Sequence, residues 1–330
     1  MKAIRIERYG GPGELALAEV ALPQPRAGEV RVKMHYAGVN FTDIYRREGR
    51  YAHSPTYRSG LPMVPGIEGA GTVDLVGEGG GDFVPGERVV FTRNLEGAYA
   101  EYCIVAATRL VRVPAALDLE CAAAVLNQGI TAQYLTAEFG LAAGGSCLVH
   151  AAAGGVGSLL VQFAKRRGAT VFATVGSRDK AALARDCGAD HVILYREADF
   201  CAEVRRLSGG RGVDIVYDTV GRDTFAGSLG ALAVRGTLVL VGNASGPVES
   251  VDPMALAEAG SVSLVRPHMQ HYVRTPEEYA RRAREVLALA AEGVLRVTVD
   301  RVLPLAQAAD AQRALAARET RGKILLAIGE

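Results

Sequence analysis

A chain of 330 residues with 49% hydrophobic and 22% charged side chains has the makeup of a globular protein, and its length suits two domains rather than one. Its 37 basic and 36 acidic residues leave a formal charge of +1, so no electrostatic drive toward nucleic acid or an anionic membrane is expected. Every apolar run is broken by charge, Gly or Pro before about 18 residues, so none reads as a membrane span. The five scattered cysteines (Cys103, Cys121, Cys147, Cys187 and Cys201) read as reduced thiols of a cytoplasmic protein.

The N-terminus, Met1–Arg8, alternates apolar and charged residues, the pattern of a strand and not of a signal peptide. In Val30–Tyr36 apolar residues fall on every second position, as in a strand buried on one face. Further strands are expected at Thr72–Val76, Arg88–Phe91 and Ala98–Val105. Gly and Pro punctuate them at Gly11-Pro12-Gly13, Val64-Pro65-Gly66 and Val84-Pro85-Gly86. Short strands with such turns predict a compact, partly open β-barrel.

Beyond about residue 121 continuous apolar runs take over, at Cys147–Ala151, Thr170–Val175, His191–Leu194, Val213–Tyr217, Thr237–Val241 and Val262–Val265. Segments of helical spacing, such as Gly157–Arg167 and Asp179–Cys187, lie between them. Strands apolar on both faces and separated by helices predict a parallel sheet covered on both sides, a doubly wound Rossmann fold of the α/β class. A helix near Pro276–Ala291 leads to a tail, Val294–Glu330, expected to return to the first domain. The predicted organisation is a β-rich domain over 1–122, a doubly wound domain over 123–268 and a returning segment over 269–330.

The first strand of the sheet runs into His150-Ala151-Ala152-Ala153-Gly154-Gly155-Val156-Gly157. Read from Ala152, this is A-x-G-x-x-G between a buried strand and a helix, the context in which such a turn cradles a pyrophosphate. An NAD-selective fold places an acid about 20 residues later for the ribose 2′-hydroxyl. Val175-Gly176-Ser177-Arg178 has none. Ser177 is predicted to cap the next helix, with Arg178 and Lys180 in its first turn, where the helix dipole disfavours positive charge. A 2′-phosphate accepting from Ser177, Arg178 and Lys180 reverses that cost, so the cofactor expected is NADPH. The alternative is a solvated basic helix start.

The whole chain resembles the medium-chain dehydrogenase/reductase superfamily, in its quinone oxidoreductase (zeta-crystallin-like) branch. The resemblance runs nearly end to end: Ala37–Asp43, Val64–Gly71, Gly97–Tyr102, His150–Gly157, Val216–Gly221 and Val241–Asn243. It implies a GroES-like catalytic domain beside the Rossmann domain, a substrate cleft between them, and a homodimer formed largely through the cofactor domains. It also implies that Asn40 lies near the nicotinamide and the substrate, with Tyr45 and Tyr51 in the same cleft. Gly242 and Asn243 are implied on the nicotinamide side, Tyr195 near the adenosine phosphate, and Thr131, Val265, Arg266 and Arg318 at further cofactor positions.

Zinc-dependent members carry a Cys where this chain has Asn40 and a His where it has Ile67. Neither residue present can replace a thiolate or imidazole on zinc, so no metal is expected. Without a Lewis acid the substrate must accept hydride readily, as quinones and conjugated carbonyls do. A tyrosine phenol can donate to the acceptor oxygen or flank a flat ring. Equally, Asn40 or Asp43 can cap a short helix, and Tyr45 and Tyr51 can be packing residues. The reading is an NADPH-dependent reductase of quinones or related conjugated carbonyls. A trans-2-enoyl thioester reductase or natural-product enone reductase stays open, as does a catalytically silent dinucleotide-binding structural or RNA-binding protein. Acceptor choice is expected to depend on loops such as Ala52–Gly60.

Overall fold

In the computed structural model, which describes residues 1–55, 60–94 and 96–329, the chain divides into two units. One comprises Met1–Asn127 with Thr275–Glu330, the other Gln128–Arg274. The first unit opens with the antiparallel pair β1 (Lys2–Arg5) and β2 (Ala16–Glu19). It continues through β3 (Glu29–Gly38), α1 (Phe41–Arg47), β4 (Glu68–Val76), β5 (Arg88–Thr92), β6 (Tyr102–Ala106) and β7 (Leu110–Arg112). The division between the units falls inside α2 (Leu119–Glu138). The second unit alternates β8 (Ser146–Val149), α3 (Gly155–Arg166), β9 (Thr170–Val175), α4 (Arg178–Asp186), β10 (His191–Leu194) and α5 (Phe200–Leu207). It closes with β11 (Val213–Asp218), α6 (Phe225–Ala231), β12 (Leu232–Leu240), α7 (Pro253–Glu258) and β13 (Ser263–Val265). The chain then adds α8 (Pro276–Ala291), β14 (Val299–Pro304), α9 (Ala308–Ala316) and β15 (Lys323–Ala327) to the first unit.

In the first unit the described strands follow the order β14-β15-β3-β4-β5-β7, with β6 also on β3. The tail therefore joins this sheet through β15, whose Leu325 opposes Gly38 in antiparallel register. Inward residues of the strands, among them Val30, Val32, Met34, Val73, Phe91, Ile324 and Leu326, form one core with Ile4. The strand expected at Ala98–Val105 begins only at Tyr102. Its first residues turn instead toward β1, where the Ile4 N–H donates to the Tyr99 carbonyl at 2.8 Å.

In the second unit the described strands are all parallel, in the order β10-β9-β8-β11-β12-β13. That is the dinucleotide-fold order, with the switch point between β8 and β11. Here β12 starts at Leu232 rather than at Thr237. A register shift against β11 and Arg235 at φ +64 break the apolar run without ending the strand. The expected helices reappear as α3, α4 and α8.

The periodicity does not disclose α2. Ala122–Ile130 is apolar or small on nearly every side and almost wholly buried, so it lacks the polar face that marks a surface helix. No described helix is long and apolar enough to cross a membrane.

Candidate functional site

Asn40 stands between β3 and α1 in extended backbone, and starts the helix with the Asp43 carboxylate accepting its N–H at 2.9 Å. The Asn40 amide reaches partners beyond the helix as well. Its Nδ2 donates to the Gly38 carbonyl at 3.2 Å and to Glu68 Oε1 at 2.8 Å. Its Oδ1 accepts from the Lys323 ammonium at 3.0 Å and from Asn127 Nδ2 at 3.4 Å. Lys323 and Glu68 form an ion pair with both side chains almost fully buried. Gly38 makes room for it, since a Cβ there would collide with the Glu68 carboxylate. Thr92 Oγ1 donates to Asn127 Oδ1 at 2.8 Å and so fixes which face of that amide meets Asn40.

Asp43 is fully buried, and burial pushes its carboxyl up to about 6 despite the opposing pull of Arg46. The Tyr99 hydroxyl donates to it, and burial raises that phenol well above its ordinary range. Tyr45 and Tyr51 are brought together at the other end of α1. Their rings meet edge to face with centroids 5.8 Å apart, and the Arg50 guanidinium lies 5.0 Å from the Tyr45 centroid. Arg318 lies in the same unit, just after α9, at φ +58. Of the loop Ala52–Gly60, Thr56–Ser59 lie outside the described residues.

In the second unit the expected cofactor residues, Thr131 on α2 apart, lie at or just after the carboxyl ends of the parallel strands. After β8 comes Ala151 at φ +50, then Ala152, whose N–H donates to the Thr174 carbonyl at 3.1 Å. Gly154 caps α3 and Gly155, Val156 and Gly157 form its first turn, where N–H groups have no partner within the helix. A Cβ on Gly157 would collide with the Ala151 carbonyl, so only glycine lets the helix sit this close to the turn. After β9, Ser177 caps α4, its Oγ accepting from the Lys180 N–H at 3.4 Å. Arg178 is largely exposed, with the Glu197 carboxylate 3.8 Å away. After β10, the Tyr195 hydroxyl lies 2.7 Å from the point a Cβ on Gly176 would occupy, beside that cap.

After β12 come Gly242 and Asn243. With the Asn243 amide turned so that its nitrogen faces an acceptor and its oxygen a donor, it donates to the Gly242 carbonyl at 2.8 Å and accepts from Arg266 at 3.2 Å. Arg266 also donates to the Leu240 carbonyl at 2.6 Å, which ties the ends of β12 and β13 together next to Val265. Thr131 is buried.

Sequence reading did not single out the partners that hold these groups. Glu68 lies inside the stretch Val64–Gly71 and Lys323 in the C-terminal tail, yet only their burial gives them away. In the second unit the buried His150 lies between Thr174 Oγ1 (2.8 Å) and Ser228 Oγ (3.0 Å), and Ser228 donates to Asp218 at 2.8 Å. Burial depresses the His150 basicity. Asp218 also accepts from the N–H groups of Val220 and Gly221, so the ends of β8, β9 and β11 are joined through one hydrogen-bond chain.

Burial raises the thiols of Cys103, to about 12, and of Cys121, to about 11, so neither has the character of a nucleophile. Among the described residues no group of three or more His, Cys, Asp and Glu is placed to hold a metal ion.

Residues 26–115 match the alcohol dehydrogenase GroES-like domain family, and residues 155–288 the family described as zinc-binding dehydrogenase. The quinone oxidoreductase of Pseudomonas aeruginosa is 40% identical over 98% of this chain and 99% of its own length. A mycobacterial protein solved in complex with NADPH superposes with a TM-score of 0.93 at 44% identity, covering 99% of this chain and 100% of that one. The Escherichia coli quinone oxidoreductase solved with NADPH gives 0.94 at 38% identity, over 99% and 100% of the two chains.

Proposed function

The chain belongs to the quinone oxidoreductase family of the medium-chain dehydrogenase/reductase superfamily, and from that premise we propose that it is an NADPH-dependent quinone oxidoreductase. The observation that carries the reading is the second unit's edge: glycine turn, capped basic helix and Asn243–Arg266 pair all follow the carboxyl ends of parallel strands. The residues fit the cofactor. A glycine-lined helix N-terminus suits a diphosphate, and Ser177, Arg178, Lys180 and Tyr195 suit a 2′-phosphate.

Bound NADPH supplies the hydride. In the proposed division of labour the second unit holds it. Gly155, Val156 and Gly157 receive the diphosphate on backbone N–H groups, while Ala152 and Gly154, whose own N–H groups are used within the protein, shape the turn that brings it there. Thr131, Gly242, Asn243, Val265 and Arg266 line the nicotinamide side, with Arg318 as a further contact. Asn40, Tyr45 and Tyr51 of the first unit are the proposed residues for the acceptor, with a phenol donating to the oxygen on which negative charge develops. We further propose a cytoplasmic homodimer. Val234, on β12, and Met254 are large apolar side chains exposed on the second unit, which supports association through it.

The relatives named above are enzymes or NADPH-bound proteins, which favours turnover over a silent structural role. The test is NADPH oxidation with 1,4-benzoquinone and 1,2-naphthoquinone, beside an enoyl thioester, and beside ethanol with NADP⁺. Quinone reduction is expected to have the highest kcat/KM. Faster alcohol oxidation, or no quinone-dependent NADPH oxidation, would overturn the proposal.

A further inference from the structure

We propose that Glu68 and Lys323 are positioning residues for the reaction, acting by locking the Asn40 amide in one orientation. The inference rests on the functional reading of Asn40 given above. An amide has two donor and two acceptor positions, and in Asn40 all four are filled by this chain. Two of the partners are the charged ends of one buried ion pair, contributed from positions far away in sequence. Glu68 can only accept and the Lys323 ammonium can only donate. Exchanging the amide's oxygen and nitrogen would therefore set acceptor against acceptor and donor against donor. Neutral partners would penalise that flip less; a carboxylate and an ammonium in a dry site penalise it most.

The hydrogen bond from Asn127 is the longest of the four, so Oδ1 is where a bound group enters most easily. The pair thus presents the same atom of Asn40 to the same place at every turnover, without touching the acceptor. This also gives the C-terminal strand β15 a part in the reaction, through a lysine at the start of an otherwise apolar run. Glu68 Oε2 is buried without a hydrogen-bond partner, a feature that stability alone does not account for.

Positioning and charge are separable by substitution. Glu68→Gln removes the negative charge and keeps an acceptor for Asn40, and Lys323→Gln removes the positive charge and keeps a donor, on a side chain one bond shorter. Each single change strands a buried charge. The double variant restores neutrality. Its amide at position 323 can still donate to Asn40 Oδ1, and its amide at position 68 can still accept from Asn40 Nδ2.

The experiment measures kcat with 1,2-naphthoquinone and KM for NADPH in the unmutated protein, Asn40→Ala, both single variants and the double variant, with folding checked by circular dichroism. We expect Asn40→Ala and each folded single variant to lose about ten- to a hundred-fold in kcat, with KM for NADPH little changed. The double variant is expected to recover well above either single one. If a single variant does not fold, the double variant alone decides, and an inactive but folded double overturns the inference. Slow Asn40→Ala with unaffected single variants, or a double variant no better than the singles, overturns positioning and leaves the proposed function standing. An undiminished Asn40→Ala removes both the role of Asn40 and the inference built on it. Absence of quinone-dependent NADPH oxidation in the unmutated protein takes down the proposed function and the inference together.

Discussion

Tyr99 and Asp43 meet in the core of the first unit, the phenol donating to the carboxylate at 3.1 Å. Both side chains are fully buried, and the second oxygen of Asp43 has no hydrogen-bond partner. Ionised, this carboxylate is under-solvated, and its pKa of about 6 expresses that cost.

The consequence is a pH dependence of stability with a definite sign. Between the ordinary value of 3.8 and about 6 the folded protein holds a proton on Asp43 that the unfolded chain has released. The contribution of this group is therefore fully present below pH 3.8 and lost as pH rises through 6. Its full span is on the order of 3 kcal/mol. Asp43→Asn keeps an oxygen for Asn40 and Tyr99 and cannot titrate. Urea unfolding of both proteins between pH 4 and 8 should show the variant gaining relative to the unmutated chain as pH rises. Parallel curves would mean that Asp43 titrates normally.

At the α4 cap, Ser177 is engaged with the Lys180 N–H, while Arg178 projects largely into solvent. A 2′-phosphate bound there gains charge-assisted hydrogen bonds worth about 1.5–3 kcal/mol. Lys180→Ala is accordingly expected to weaken NADPH roughly ten- to a hundred-fold and to leave NADH nearly unchanged, by fluorescence titration. Equal affinities of the unmutated protein for the two cofactors would rule out this assignment.

Gly157→Ala should damage the cofactor turn directly. The added methyl meets the Ala151 carbonyl, part of the backbone, so α3 or the turn must shift. A loss of about 1–3 kcal/mol in stability is expected, together with weaker NADPH binding. A variant matching the unmutated protein in both melting temperature and Kd would show that the turn has slack.

Activity should survive prolonged exposure to a strong chelator. The Asn40 amide is committed to Gly38, Glu68, Lys323 and Asn127, and Ile67 offers no donor atom. Elemental analysis finding stoichiometric zinc, with activity lost on its removal, is the contrary result.

Local chemistry along the chain was enough to place the parallel strands, to read Gly154–Gly157 as a tight turn entering a helix, and to see that Ser177 would cap a helix followed by two cations. These features are written in short stretches of sequence, because a buried strand, a tight turn and a helix start each depend on near neighbours. The residue types at 40 and 67 likewise told against zinc before any fold was known. Only tertiary structure decided that α2 is a helix, since burial on all sides erases the polar face that periodicity needs. It also decided that Glu68 and Lys323 meet on Asn40, and that Asp43 is starved of solvent. Those outcomes depend on which distant strands become neighbours: β15 beside β3, and β3 beside β4. Desolvation acts on the assembled site, and no spacing in the linear chain carries it.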